Sequence, residues 1–368
     1  MRILVTGLCG NYGGVESFFY GYFNEISKID EDITFDVLGY KGVVDADKVI
    51  AAGGNVFTIS SFSKNEIKNF MEKHAPDYDV LWSLAVDLST INIIKYAKIY
   101  GIKKIILHSH CSSMMGTGAN KIKKTFFHYI HRIEIKKYVT DYWACSDFAA
   151  KWMFPKNVVK TKVVYIPNAI DGNKYRFNEE LRNKKRREIG CNETLAIGFI
   201  GRLSPEKNPI FSIKVCEEIN KQKDCILYII GKGPLENQLK EAIKNHNLEA
   251  HVKLLGLRND VNELMQALDY VIIPSYFEGM PMVAIEAQTS GLPLVAASEG
   301  ITKQICVLDT TKMLRLADGA KKWAETIVNG KAEEREKAYV IMSANGFNLP
   351  EAAIQLCKLL KQMLIYED

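Results

Sequence analysis

Two glutamates stand eight residues apart in the run Pro274-Ser-Tyr-Phe-Glu278-Gly279-Met-Pro281-Met-Val-Ala-Ile-Glu286-Ala287. Glu278 follows an apolar stretch, Tyr270–Ile273, that reads as a strand. Glu286 falls inside a helical pattern, Pro281–Ser290. Proline suits the first turn of a helix, where its missing N–H costs nothing, and Glu286 then lies about one and a half turns along. A carboxylate among Val283, Ala284, Ile285 and Ala287 needs a polar partner. Two ribose hydroxyls would satisfy it. The first amides of that helix, at Met282 and Val283, could hold a phosphate, and Glu278 could reach a sugar. A capping arrangement is the plainer alternative.

A second candidate is Gly201-Arg202-Leu-Ser-Pro-Glu-Lys207-Asn208, which follows the predicted strand Ala196–Ile200. Two cations near a helix start could neutralise a diphosphate; a solvated basic loop is the plainer alternative. A third is the turn Gly7-Leu-Cys-Gly10-Asn-Tyr-Gly13-Gly14, between a strand and a helix, where backbone amides can approach a phosphate because no Cβ intervenes. It could equally be only a flexible turn. A fourth is His108-Ser-His110, just past the strand ending at Leu107. A neutral imidazole there could hydrogen-bond a sugar hydroxyl or polarise a reacting centre.

Each motif sits after a predicted strand, and the strands come in two series. The first runs Ile3–Val5, Thr34–Leu38, Asn55–Ile59, Val80–Trp82, Lys104–Leu107 and Tyr142–Ala144. The second runs Val163–Ile166, Ala196–Ile200, Ile226–Ile230, Val252–Leu255, Tyr270–Ile273 and Pro293–Ala296. Helical stretches such as Val15–Ile29, Asn208–Gln222 and Pro234–Asn245 alternate with them. Alternation of this kind predicts an α/β fold of two doubly wound, Rossmann-like domains, with ligands at the carboxyl ends of the strands and a cleft between the facing sheets. The charged stretch Asn178–Glu188 marks the seam. The expected organisation is residues 1–170 as an N-terminal Rossmann-like domain and 171–345 as a second, C-terminal one. A terminal helix within 346–368 would pack back on the N-terminal domain.

Composition fits this reading. The chain has 368 residues, 47% hydrophobic and 25% charged, which suits folded domains rather than disorder or coiled coil. No apolar run approaches the length of a membrane span. The start, MRILVTGLCG, breaks too soon to be a signal peptide. The eight cysteines include no Cys-x-x-Cys pair, so buried thiols in a reducing cytoplasm are expected and a zinc site is not. The net charge of +5 permits an anionic ligand or surface, and no nucleic-acid motif is present.

With these residues placed, the chain resembles glycosyltransferase family 4, of the GT-B fold, along nearly its whole length. Gly13-Gly14-Val-Glu16 is similar to the family's N-terminal donor loop. Cys145-Ser146 and Pro167-Asn168-Ala-Ile-Asp171 resemble its inter-domain segment, and Glu278–Glu286 resembles its Glu-x7-Glu signature. His-Ser-His, Gly-Gly-Val-Glu and Ile301-Thr302-Lys303 look closest to the capsular and exopolysaccharide branch.

The resemblance implies a retaining, metal-independent hexosyltransferase with no cofactor. It would move a sugar from a nucleotide-sugar, UDP by family frequency, to a glycan or lipid-linked acceptor. It implies Arg202 and Lys207 on the diphosphate, with Gly14 beneath it and Gly13 and Gly201 also in the donor site. Glu286 would hold the ribose, Glu278 the sugar hydroxyls, and His110, rather than His108, would lie near the transferred sugar. Three positions depart from the family: Met280 replaces a frequent aromatic, Ser298–Lys303 replaces a glycine-rich Gly-Gly-x-x-Glu continuation, and Cys111 stands where asparagine is common.

The basic, aromatic stretch Lys121–Lys137 could lie on an anionic membrane, giving a cytoplasmic enzyme peripheral on the inner face. The alternative is a solvated basic face with its apolar stripe in the core. Other classes compete. An NAD(P)-dependent oxidoreductase would use the glycine turn, but its Tyr100-x-x-x-Lys104 pair is split by Gly101. A metal-dependent transferase of the GT-A type would use Asp45-Ala-Asp47, which reads better as a helix N-cap. A non-catalytic sugar-nucleotide-binding subunit is the third.

Overall fold

The computed structural model describes residues 1–116, 118–330 and 334–365. The chain divides into two units, Met1–Ala169 with the chain from Leu349 onward, and Ile170–Asn348.

The first unit is a seven-stranded sheet. Its strands are β1 (Arg2–Cys9), β2 (Thr34–Tyr40), β3 (Val56–Ile59), β4 (Val80–Ala85), β5 (Lys104–Ser109), β6 (Asp141–Ala144) and β7 (Val163–Tyr165). They lie in the order β3-β2-β1-β4-β5-β6-β7, every pair parallel. The second unit has β8 (Leu195–Ile200), β9 (Cys225–Ile230), β10 (Val252–Gly256), β11 (Tyr270–Ile273), β12 (Leu294–Ala297) and β13 (Thr311–Leu314). Their order is β10-β9-β8-β11-β12-β13, again all parallel.

The sequence explains the parallel geometry. Runs such as Ile3-Leu4-Val5, Ile105-Ile106-Leu107 and Leu227-Tyr228-Ile229 have no polar side and are buried on both faces. In both sheets the chain winds one way from its first strand and then the other way from its fourth. The topological switch points therefore fall between β1 and β4 and between β8 and β11, where such sheets bind ligands at the strands' carboxyl ends.

Three expectations need correction. Val163–Tyr165 is the edge strand of the first sheet and does not open the second series. The segment Thr311–Leu314 was not expected as a strand; its mixed residues pair with β12 at the sheet edge. The second unit runs to Asn348, past the expected 345, because Ile170 bridges Asn348 and the Gly172 amide donates to Asn348 Oδ1 at 3.1 Å.

The helix Leu349–Ile365 packs on the helix Gly14–Ile29 in the first unit. It places Leu349, Ala353, Leu356 and Leu360 in a core with Phe18, Phe19, Phe23 and Trp82. Asp30, just past the end of the earlier helix, takes Lys361 as an ion-pair partner and accepts from the Cys357 thiol at 3.6 Å. Lys361 holds the Asp30 carboxyl below its ordinary range.

Candidate functional site

In the second unit three loops converge at the ends of β8, β9 and β11. Gly201 N donates to Ile230 O at 2.9 Å, and Leu203 N donates to Lys232 O at 3.0 Å. Tyr276 N donates to Glu206 O at 2.8 Å, and Asn208 Nδ2 donates to Pro274 O at 3.2 Å. Asn208 takes a left-handed conformation, φ 53°, which short polar side chains tolerate, and turns the chain into the helix Pro209–Asn220. A Cβ built on Gly201 would meet no atom within 4 Å, so its outer side is open to a ligand's approach.

The side chains form two polar groups. Lys207 Nζ donates to both oxygens of Glu278, at 2.5 and 2.6 Å, and Ser275 Oγ donates to Glu278 Oε1 at 2.8 Å. Glu278 is buried; its backbone amide donates to Gly300 O at 2.8 Å. The other group is Glu286, half-buried on the helix Met282–Thr289, which accepts from the Tyr175 hydroxyl at 3.0 Å. Burial pushes the Glu286 carboxyl up to about 7, and the Tyr175 bond pulls it partly back. Burial, and then the same carboxylate, push the Tyr175 hydroxyl upward. The Glu286 carboxylate has no further hydrogen bond among the described residues, so acceptor capacity is left over.

Pro281 is the cap of the Glu286 helix rather than a residue of its first turn, because its ψ of 118° is extended. Its carbonyl accepts from Ala284 at 3.0 Å, while the amides of Met282 and Val283 precede the first intrahelical donor. Arg202 is exposed, and its guanidinium has no partner among the described residues.

In the first unit the glycine turn ends β1. Gly7 has φ 103°, and a Cβ there would lie 1.9 Å from Leu84 O, so only glycine passes this point beside β4. Gly13 caps the helix Gly14–Ile29, and a Cβ on Gly14 would meet nothing within 4 Å. Glu16 is buried and turns back to accept from Cys9 N at 3.1 Å, which closes the loop and brings its Oε2 beside Gly13.

Next to this turn, Phe18 packs on His108 and His110 at 5.0 and 4.7 Å, and the two imidazoles lie 4.1 Å apart. Both His108 nitrogens and His110 Nε2 are buried without a hydrogen-bond partner. Burial pushes His110 down to about 3 and His108 well below its ordinary value, so both rings are neutral near pH 7.

A cavity of about 440 Å³ opens at the opposite end of the second sheet, by Leu195 and Tyr270 at the starts of β8 and β11. Its arginines Arg182, Arg186 and Arg335 donate to the carbonyls of Met265, Gln266, Ala267 and Leu268, and to Asp269. Those guanidiniums cap a helix end and are not offered to a ligand.

Residues 182–347 match the sequence model of the family described as Glycosyl transferases group 1. EpsF of Bacillus subtilis strain 168, named as a glycosyltransferase, is 27% identical over 347 residues, 89% of this chain and 87% of that protein. An Escherichia coli protein named UDP-Gal:alpha-D-GlcNAc-diphosphoundecaprenol alpha-1,3-galactosyltransferase is 34% identical over 142 residues, 37% of either chain. HepE of Anabaena, solved with UDP and glucose, superposes with a TM-score of 0.76 at 19% identity, covering 98% of this chain and 100% of that one. That last likeness concerns the fold, which is GT-B.

Residues 182–347 belong to the group 1 glycosyltransferases.

The second unit brings Arg202, Lys207, Glu278, Glu286, Gly201, Met282 and Val283 to one switch point, between β8 and β11. His110, Gly13 and Gly14 belong to the first unit, where they gather around Phe18 and the glycine turn. Sequence reasoning missed Tyr175, Ser275 and Gly300. Ser275 was readable, three residues before Glu278 on a strand-end loop. Tyr175 had no local signal, since it lies 111 residues from Glu286.

The rival readings lose their geometry. Tyr100 caps the helix Asn92–Ile99 while Lys104 opens β5, so that pair shares no helix face. Asp45 occupies an N-cap position at φ 53°, but its carboxylate binds Lys48 at 2.8 Å and caps no amide.

Proposed function

We propose that this transferase moves a hexose from a UDP-sugar to a lipid-linked or glycan acceptor in exopolysaccharide assembly, with retention at the anomeric carbon and without a metal. The observation that carries the reading is the pairing at one switch point of a spare carboxylate acceptor, Glu286, with unspent donors, Arg202 and the Met282 and Val283 amides. That is the donor and acceptor pattern of a nucleoside diphosphate: hydroxyls at one end, anionic oxygens at the other. The UDP-bound HepE structure and the UDP-Gal-using E. coli relative support the choice of UDP. The lipid diphosphate in that relative's name supports the acceptor class.

Glu286 would bind the ribose. Arg202 and the helix amides would hold the diphosphate as its leaving charge grows. Lys207 would turn from Glu278 toward that charge and release the carboxylate to sugar hydroxyls. The bond from the anomeric carbon to the phosphate oxygen breaks, and the bond to the acceptor oxygen forms on the same face. The acceptor's proton passes to the departing phosphate oxygen. His110, neutral near pH 7, would hydrogen-bond the sugar without acting as an acid or base. In this scheme the protein's own cations and amides stabilise the leaving group.

Calorimetric titration with UDP, GDP, ADP and NAD in EDTA tests the reading. Selective UDP binding is expected. NAD binding alone would return the glycine turn to the oxidoreductases, and turnover that EDTA abolishes would refute the metal-free scheme. A nucleotide-binding protein with no transfer activity on any lipid-linked acceptor would instead be a binding subunit.

A further inference from the structure

The helix Gly118–Glu134 is folded inside out. Its one buried residue is a histidine, His128. His128 Nδ1 accepts from Leu88 N at 3.0 Å, its Nε2 lies 3.2 Å from Trp152 O, and its ring stacks on Trp152 at 3.9 Å. A neutral imidazole satisfies both contacts, with Nε2 donating, and burial keeps the ring neutral by pushing it down to about 4. His131 Nδ1 lies 2.7 Å from Leu88 O, and Arg132 donates to Lys151 O at 2.6 Å and to Phe154 O. The polar face thus grips the body of the first unit.

The apolar face is turned to solvent. Ile122 is 73% exposed, Phe126 63%, Tyr129 50%, Ile130 45% and Ile133 71%. At helical spacing these five fall within an arc of about 100°. The expectation of an apolar stripe in the core is therefore reversed. Soluble proteins seldom leave such a stripe uncovered without a partner for it.

Charge identifies the partner. Residues 118–137 hold six Lys or Arg against one acid, Glu134, a net +5 that equals the formal charge of the whole chain. Lys123, Lys124, Lys136 and Lys137 are exposed. We propose that this helix docks the first unit on an anionic lipid bilayer, its stripe in the acyl boundary and its lysines on lipid phosphates. A second copy of the chain fits poorly, because a symmetric contact would set this +5 segment against itself. The inference deepens the acceptor side of the proposed function, since it brings the chain to where a lipid-linked acceptor resides. Docking itself needs no donor.

Co-sedimentation tests it, using vesicles of phosphatidylcholine alone and mixed with phosphatidylglycerol, at low and high salt. Binding to the mixed vesicles that weakens with salt is expected. Lys123→Gln with Lys124→Gln should each cost roughly fivefold in vesicle affinity. Phe126→Ser with Ile133→Ser should abolish binding at any salt, with the circular dichroism melt unchanged. The proposal is overturned if the wild type ignores mixed vesicles at low salt, or if the Ser variant binds them normally. It is also overturned if sedimentation velocity shows a dimer that the Ser variant dissolves and vesicles do not compete. UDP titration of the same samples keeps the two readings apart. Intact UDP binding without vesicle binding refutes only the docking face, and the reverse refutes only the donor site.

Discussion

Glu286 is the residue whose chemistry is most exposed to test. Its ordinary value is 4.5 and burial lifts it to about 7. Between those values the folded chain holds a proton that the unfolded chain has lost, so this group draws stability down as pH rises through that window. Nucleotide affinity should move the other way. In the proposed role the ionised carboxylate would accept both ribose hydroxyls, so UDP affinity should rise through about pH 7. Titration in two buffers of different ionisation enthalpy should show proton release on binding below that pH. Glu286→Gln should flatten the pH profile and weaken UDP about tenfold, the worth of one lost charge-assisted hydrogen bond; an unchanged slope would refute the ribose role. Tyr175→Phe removes the donor that favours the ionised form, so it should shift the same profile to higher pH.

The Lys207–Glu278 pair makes a different prediction. Lys207→Met leaves Glu278 buried without its counter-charge. Lys207 is 28% exposed, so the cost should be about 2 kcal/mol, below that of a fully buried pair. Adding Glu278→Gln should recover the melting temperature while turnover stays about a hundredfold down. Recovery of both would reduce the pair to a structural role.

Among the elements, the loops were legible only in part. The strand-to-helix turns carrying Lys207 and Glu278 stood out because continuous apolar runs precede them, and such runs mean buried parallel strands. The partners that fix those loops did not. Gly300 lies in Ser298–Lys303, the segment that departs from the family, yet its carbonyl holds the Glu278 amide. A Cβ on Gly300 would fall 2.1 Å from Tyr276 O, so the two loops pack backbone on backbone. No side-chain pattern can announce such a contact. Gly300→Ala should therefore displace the Glu278 loop and lower turnover at least tenfold, measured beside a melt to separate it from unfolding.

The strand β13 was unreadable for a related reason: at a sheet edge, Thr311-Lys-Met-Leu314 need not be apolar. The carbonyl end of the helix Val261–Ala267 was also hidden. Beside Arg182 and Arg186 it is capped by Arg335, from 68 residues further along the chain, stacked over Phe177 at 4.3 Å. Burial pushes Arg335 down to about 9, so it is still charged near pH 7. Arg335→Leu should cost about 2 kcal/mol by denaturant unfolding, since Met265 O and Ser290 O lose their guanidinium donor while Gln266 O and Leu268 O keep Arg182. Lysine should restore little, having no planar fork.

At the scale of the whole molecule, the first unit is assembled from both ends of the chain while the second is one continuous segment. Leu349, Leu356 and Leu360 are buried in the first unit's core and contribute roughly 5–9 kcal/mol of apolar burial. That is comparable to the whole stability of an ordinary domain. Deleting the chain from Leu349 onward should therefore unfold the first unit and spare the second. Calorimetry should then show one remaining transition, which UDP still raises. Loss of both transitions would mean that the units do not fold separately.

That division also sets an order of birth. On the ribosome, residues 170–348 emerge before the helix that completes the first sheet's packing. The second unit can be finished, with its proposed nucleotide site complete, while Phe18, Phe19 and Trp82 still wait for their last neighbours. A nascent chain halted soon after Asn348 should thus resist protease in its later half and be cut in its earlier one. The part made first would be the part folded last.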